Sequence, residues 1–289
     1  MKPPSFEYHA PASVDEALKL LGQYRGEARI LAGGQSLVPL LNFRLANPAA
    51  LIDINKIGEL SYIKEDNGHV RLGALTRQRA IEFSPVVNHS LPLLGEATRM
   101  VGHPPTRTRG TIGGSIAHAD PAAEYPCVVT ALDGEIVIRG PRGERSVHAA
   151  EFFQGLMATA VAAGEMLVEV RLPAMAANAG WAFEEFSRRH GDFALAAVAA
   201  MVTMEGKQCA TVRLAAAGVG ATPLRLRAAE EILKRAEPGE NLIDAAAARA
   251  AELVDLDSDI HATAAYRRHL THTLTRRALT RAIARARGQ

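Results

Sequence analysis

The amino-acid sequence predicts an α+β chain of two domains, and three observations carry that expectation. Short apolar runs of strand length alternate with glycine turns and helix-period segments as far as Pro173. The stretch from Ala174 to Gly180 is then small, polar and alanine-rich, in the manner of a boundary between domains. Beyond it, Phe193 to Met204 and Ala210 to Ala217 flank Glu205-Gly206-Lys207 like the arms of a hairpin, and helix-period segments close the chain.

From the N-terminus, Ser13 precedes an apolar-periodic segment (Val14, Ala17, Leu18, Leu21) with Glu16 three places later, the capping-box signature of a helix start, and Gly22 or Gly26 can end it. Ala28 to Ala32 reads as a buried strand stopping at Gly33-Gly34, and Ala50 to Ile54 as a second strand. Between them, Ser36 to Arg44 has the spacing of a short helix that tolerates Pro39 in its first turn. His69 to Gly73 reads as a strand, Thr76 to Glu82 as a helix start with Thr76 as cap, and Leu91 to Met100 as helical. Gly102 to Gly110 is a Pro- and Arg-rich loop leading to a second glycine turn at Gly113-Gly114. Asp133-Gly134, with apolar runs Val128 to Leu132 and Glu135 to Ile138 on either side, is a hairpin signal, and Met166 to Leu172 is a further strand. After the boundary, Leu224 to Arg235 and Leu242 to Leu253 show helical spacing. Ala264 to Arg287 forms a long helix with Leu270, Leu274, Ala278 and Ile283 near one face.

The 289 residues, 48% of them apolar, suffice to bury a sizeable core. A formal net charge of +2, from 33 basic and 31 acidic residues, gives no field that would recruit nucleic acid or an anionic membrane. Cys127 and Cys209 lie far apart in apolar stretches without metal-ligand neighbours, so they read as buried free thiols, and an iron–sulfur cluster has no ligand set here. No segment approaches the roughly 20 apolar residues of a membrane span, and the first residues lack the apolar stretch of a secretory signal. The expected setting is the cytoplasm.

Two motifs carry chemistry. Ala32-Gly33-Gly34-Gln35-Ser36 follows a buried strand and opens a helix, a geometry that gathers backbone N–H groups at one spot. Glycine lets the backbone approach a phosphate closely, and Ser36 adds a hydroxyl donor. An ordinary strand-to-helix turn is the other reading of this motif alone. Thr111-Ile112-Gly113-Gly114-Ser115 repeats the same chemistry, so the pair suits the two ends of an extended dinucleotide. There is no GxGxxG, so a Rossmann NAD site fits poorly.

These motifs, together with Arg109-Gly110, His118-Ala119-Asp120-Pro121, Arg188-Arg189-His190-Gly191-Asp192-Phe193, Asp257-Ser258-Asp259-Ile260-His261-Ala262 and Tyr266-Arg267-Arg268, resemble the flavoprotein or medium subunit of molybdenum hydroxylases. That family includes carbon monoxide dehydrogenase, quinoline oxidoreductase and xanthine dehydrogenase, and the likeness covers nearly the whole chain. It implies a two-subdomain FAD-binding domain of the vanillyl-alcohol-oxidase/PCMH type over 1–175 (subdomains about 1–57 and 58–175), then a smaller α+β domain over 176–289. Residues 32 to 36 and 111 to 115 would grip the pyrophosphate and neighbouring sugars. Glu124 matches a position where relatives place an acid on ribityl or ribose hydroxyls. Phe193 matches one where a tyrosine or apolar side chain packs on the isoalloxazine ring, with Leu167 near the ring from another strand. By periodicity alone Phe193 is a core residue, and a solvated loop acid is the other reading of Glu124. Ser115 stands where many relatives have asparagine, which shortens one polar arm.

The resemblance implies electron transfer. A large molybdenum-cofactor subunit would oxidise the organic substrate, a small subunit would carry 2Fe–2S clusters, and this chain's FAD would pass electrons to an external acceptor, in a dimer of heterotrimers. A quinone, protein or oxygen acceptor is favoured over NAD, because no glycine-rich NAD site is visible. A stand-alone flavin oxidoreductase and a nucleotide-binding scaffold are the alternatives. His103, His118 and His190 lack metal-ligand spacing, although His118 could line the flavin pocket. Arg99, Arg107 and Arg109 suit phosphate, a partner or an exposed loop, and Arg276, Arg277, Arg281, Arg285 and Arg287 read as a solvated helix face.

Overall fold

A computed structural model describes residues 2–255 and 258–288. The chain opens with β1 (Glu7–His9), α1 (Val14–Gln23), β2 (Ala28–Leu31), α2 (Leu37–Asn42) and β3 (Ala50–Asp53), whose strands form a parallel sheet in the order β1-β3-β2. The cap at α1 forms where the sequence places it: Ser13 Oγ accepts from Glu16 N–H at 3.2 Å, while the Glu16 carboxylate reaches one residue past the cap and accepts from Ala12 N–H at 2.8 Å.

The chain then builds a hairpin, β4 (Ile63–Asp66) and β5 (His69–Gly73), followed by six short helices. These are α3 (Gln78–Phe83), α4 (Pro85–Ser90), α5 (Pro92–Thr98), α6 (Pro104–Arg109), α7 (Ile112–His118) and α8 (Glu124–Ala131). Next come β6 (Glu135–Gly140), β7 (Gly143–His148), α9 (Ala149–Phe152), β8 (Phe153–Gly155), β9 (Ala158–Thr159) and β10 (Met166–Pro173). β10 returns to the centre of an antiparallel sheet ordered β4-β5-β10-β6-β7.

Side-chain alternation makes this sheet two-faced. Val70, Leu72, Ile136, Ile138, Val170 and Leu172 enter a central core with α3, α4, α5, α7 and α8, while Val137, Met166 and Val168 enter a second core with α1 and the parallel sheet. A bulge between Leu167 and Glu169 shifts the register of β10, and Leu167 joins the central core.

The last part holds β11 (Ala179–Phe186), β12 (Ala196–Glu205), β13 (Gln208–Ala217) and β14 (Leu224–Arg225) in one antiparallel sheet, with α10 (Arg227–Leu233), α11 (Glu240–Glu252) and α12 (Ala264–Ala286). One face, with Phe183, Ala197, Ala199, Ala215 and Ala217, packs into the central core beside Cys127 and Val128 of α8. The opposite face, with Ala182, Ala196, Val198 and Leu214, packs on Leu270, Leu274, Ala278 and Ile283 of α12. Alanine on both faces lets helices approach closely: a Cβ on Gly180 would stand 1.8 Å from Ala282 O.

Several local expectations change. Thr76 does not cap α3: its hydroxyl donates to Tyr62 O at 2.7 Å, and Arg77 takes the cap position. Gly102 to Gly110 contains α6, started by Pro104 at its first turn, where proline's missing N–H costs nothing. Gly113 and Gly114 lie inside α7 rather than in a turn. Val128 to Leu132 belongs mostly to α8, so Asp133-Gly134 joins a helix to β6 and the hairpin is the later pair β6–β7. Short or polar β1 and β7, and β11 overlapping the alanine-rich boundary, escaped the periodicity reading. Phe193 is 55% exposed, not core, and Glu124 is 6% exposed, not a solvated acid. Both cysteines are buried free thiols. Asp257 lies outside the described residues. Among the described residues no helix is long and apolar enough to cross a membrane, and no cluster of three metal-ligand side chains occurs.

A cleft at the ends of two parallel strands

The carboxyl ends of β2 and β3 open on a cleft of about 300 Å³ lined by Ala32 to Gln35, Asp53, Asn55 and Arg109. Ligands collect at such ends because the loops leaving parallel strands diverge there and expose backbone donors. The N–H groups of Gly33, Gly34, Gln35, Ser36 and Leu37 donate to no other described atom. Gly34 holds φ +72°, the left-handed conformation that curls successive N–H groups toward one side. Unlike the ends of an ordinary buried turn, these donors await an acceptor.

The second glycine motif stands directly against the first. A Cβ on Gly33 would lie 2.5 Å from Arg109 O and 2.8 Å from Gly110 Cα, and one on Gly114 would lie 3.9 Å from the Ala32 Cβ. Its own N–H groups are committed, however. Ile112 N–H donates to Thr76 O at 3.1 Å, Gly113 N–H to Ala74 O at 3.0 Å, Gly114 N–H to Thr111 Oγ1 at 3.0 Å and Ser115 N–H to Thr111 O at 3.1 Å. Gly113 is required by packing, since a Cβ there would stand 2.6 Å from Ala74 O. The first motif therefore supplies free donors, while the second supplies the close approach and the half-buried Ser115.

A polar frame that the sequence reading missed holds the two motifs together. Asn55 Nδ2 donates to Ala32 O at 2.9 Å and to Asp53 Oδ1 at 2.5 Å, and Arg77 spans Arg109 O at 2.5 Å and Asn55 Oδ1 at 2.6 Å. Asp53 also accepts from Tyr8 Oη at 2.5 Å. Burial pushes the Asp53 carboxyl up, but the hydrogen bonds from Tyr8 and Asn55 and the charge of Arg109 together hold it below its ordinary value. Burial and the neighbouring Arg109 lower Arg77. Arg109 lines the cleft, and its guanidinium forms no hydrogen bond or ion pair with the described residues. The one available signal was the Asp53-x-Asn55 pair just past a strand end.

The remaining candidates are spread along the joint between the sheets. Glu124 opens α8, buried, and its carboxyl is pushed up to about 7 by that burial, with Asp120 adding to the rise and its own backbone N–H opposing it. Leu167 is buried in β10, and Phe193 stands exposed on the segment between β11 and β12. The rings of His103 and His190 meet edge to face at 5.7 Å. Arg107 is structural, paired with Glu82 at 2.9 Å and donating to Val101 O. Arg281 and Arg285, expected on a solvated face, instead bind Glu96.

The cleft and its surrounding domain have clear counterparts. Residues 4–175 match the FAD binding domain in molybdopterin dehydrogenase, and residues 181–282 match the CO dehydrogenase flavoprotein C-terminal domain. The chain is 42% identical to the 6-hydroxypseudooxynicotine dehydrogenase complex subunit alpha of Paenarthrobacter nicotinovorans, over 99% of this chain and 97% of that one. It is 40% identical to the carbon monoxide dehydrogenase medium chain of Hydrogenophaga pseudoflava, over 99% of both. A solved carbon monoxide dehydrogenase from Hydrogenophaga pseudoflava superposes with a TM-score of 0.97, covering 99% of each chain at 42% identity. Quinoline 2-oxidoreductase from Pseudomonas putida 86 gives 0.95, covering 99% of each at 37% identity. An α+β chain with this pair of matched domains, this cleft and these relatives belongs to the FAD-binding medium subunits of the molybdenum hydroxylases.

Proposed function

We propose that the cleft holds the pyrophosphate of FAD and that the chain carries electrons away from a substrate oxidation performed on a partner. The observation that carries this reading is the run of free N–H groups from Gly33 to Leu37, of which Gly33, Gly34 and Gln35 line the same cleft as the unpaired Arg109. Together they match an anion that needs several donors and one compensating charge. Ala32, Gly33, Gly34, Gln35 and Ser36 form the donor wall, while Thr111, Ile112, Gly113, Gly114 and Ser115 form the closely packed second wall. Glu124 accepts from ribityl or ribose hydroxyls, and Leu167 and Phe193 flank the ring. The division of labour follows domains at 1–175, with subdomains about 1–57 and 58–175, and at 176–289.

When bound, the flavin supplies the redox chemistry, and the protein contributes binding, orientation and exclusion of water. Arg77 and Asn55 keep the two walls in register, so the donors are placed before the ligand arrives. Buried Leu167 gives the ring an apolar contact, whereas exposed Phe193 leaves one approach to it open. Electrons would come from 2Fe–2S clusters on a small subunit fed by a large molybdenum-cofactor subunit, in a cytoplasmic dimer of heterotrimers, and leave to a quinone, protein or oxygen acceptor. Co-purification from the native host tests this, with an absorption spectrum and metal analysis. Flavin bands with co-purifying molybdenum and iron chains are expected, and a yellow single chain that turns over substrate alone would overturn it.

A further inference from the structure

Arg267, a motif residue that takes no part in the cleft, is 5% exposed in the first turn of α12. Its guanidinium is committed to three acceptors. Nη1 donates to Leu195 O at 2.6 Å and to Gly218 O at 3.0 Å, and Nη2 donates to Asp259 Oδ2 at 2.7 Å. Asp259 is fixed in turn, since the His261 and Ala262 N–H groups each donate to its Oδ1 at 2.8 Å. A planar fork held in this way cannot swing without breaking charge-assisted hydrogen bonds.

Both carbonyls belong to segments that leave the sheet at one end, where Ala197 of β12 pairs with Ala217 of β13. Leu195 closes the excursion 187–194, which carries Phe193, by donating its N–H to Phe186 O at 2.8 Å. Gly218 reaches into the first matched domain: its N–H donates to Pro121 O at 2.8 Å, three residues ahead of Glu124. The two segments also touch. Gly218 holds φ +73°, and a Cβ there would stand 2.9 Å from Ala194 O and 3.0 Å from Leu195 O.

We propose that Arg267 is a positioning residue for the cofactor: one buried guanidinium ties the two segments together and so sets the place of Phe193 at the flavin ring and, through Gly218 and Pro121, of Glu124 at the sugar hydroxyls. This rests on the reading of Phe193 and Glu124 as FAD contacts. The backbone donors at Gly33 to Leu37 lie on other elements, so Arg267 acts on the ring and sugars and leaves the pyrophosphate wall untouched.

Titration of the full chain with FAD, read by quenching of flavin fluorescence, should give Arg267→Ala an affinity about tenfold weaker than wild type. The visible absorption bands of its bound flavin should shift as the ring contact loosens. Arg267→Lys can still donate to both carbonyls but cannot also span to Asp259, so its affinity should be only about threefold weaker than wild type. In the flavin-free chain, hydrogen exchange at the Leu195 and Gly218 amides should rise together, by about tenfold in Arg267→Ala. Glu96→Ala is the structural control, because it releases Arg281 and Arg285 at the other end of α12. It should lower the melting temperature yet keep wild-type FAD affinity, flavin bands and exchange at those two amides. Wild-type affinity and flavin bands in Arg267→Ala, or in Arg267→Lys where the alanine variant does not fold, overturn the proposal. A Glu96→Ala chain that reproduces the loss of affinity overturns it too. A wild-type chain that binds no FAD defeats the underlying FAD reading, and exchange at the two amides then still decides whether Arg267 ties the segments together.

Discussion

Glu96 on α5 and Arg285 on α12 meet at 2.7 Å across 189 positions of sequence, and the same carboxylate accepts from Arg281 at 2.9 Å and from Phe183 N–H at 3.0 Å. One side chain thus joins the helical layer of the first matched domain to both the sheet and the last helix of the second. Glu96→Ala removes the acceptor of the Phe183 N–H and one partner of each guanidinium, Arg281 keeping Glu184 and Arg285 keeping Trp181 O. The partial exposure of the arginines limits the loss, which should be about 1 to 2 kcal/mol. Chemical denaturation should show the midpoint falling, with Glu96→Gln recovering part of it.

Gly33 has no room for a side chain, because a Cβ would press on the backbone at Arg109 and Gly110. Gly33→Ala should separate the two glycine motifs and abolish flavin retention while leaving the circular dichroism spectrum near wild type. Gly22 is the contrast. It lies in α1 with nothing within 4 Å of its would-be Cβ, so Gly22→Ala should stabilise by about 0.5 to 1 kcal/mol in a thermal melt.

Arg109 is unpaired where Arg107, two residues away, is locked to Glu82. Arg109→Ala should weaken FAD binding about 10- to 100-fold, the value of a charge-assisted contact, without lowering the stability of the flavin-free chain. Arg107→Ala should do the reverse, and equilibrium dialysis beside denaturant melts separates the two outcomes.

Asp53 is held below its ordinary value when folded, so its contribution to stability is present above the ordinary carboxylate range and disappears as pH falls through the folded value. The stability difference between wild type and Asp53→Asn should therefore be full at pH 6 and shrink steadily below about pH 4, measured by urea titration at each pH.

The sequence by itself determined the local elements whose signals lie within a few residues. Ser13 and Glu16 cap α1, Gly33-Gly34 end β2, and Gly206-Lys207 turn β12 into β13. It also carried the family, because ordered motifs are recognisable without coordinates. It did not reveal that Gly113 and Gly114 sit inside a helix, since a capped helix start and a turn share the same residue types until the N–H groups find acceptors such as Ala74 O. Nor could it show which acids are buried. Glu124 is 6% exposed at the start of α8, the helix over which an alanine-lined sheet face closes from the other end of the chain. Spacing along a chain encodes backbone geometry, whereas charge, burial and pairing between distant residues are set by packing. The cleft is the case in point: the glycine motifs were legible, but Asp53, Asn55 and Arg77, which hold them together, became visible only once β2 and β3 lay side by side.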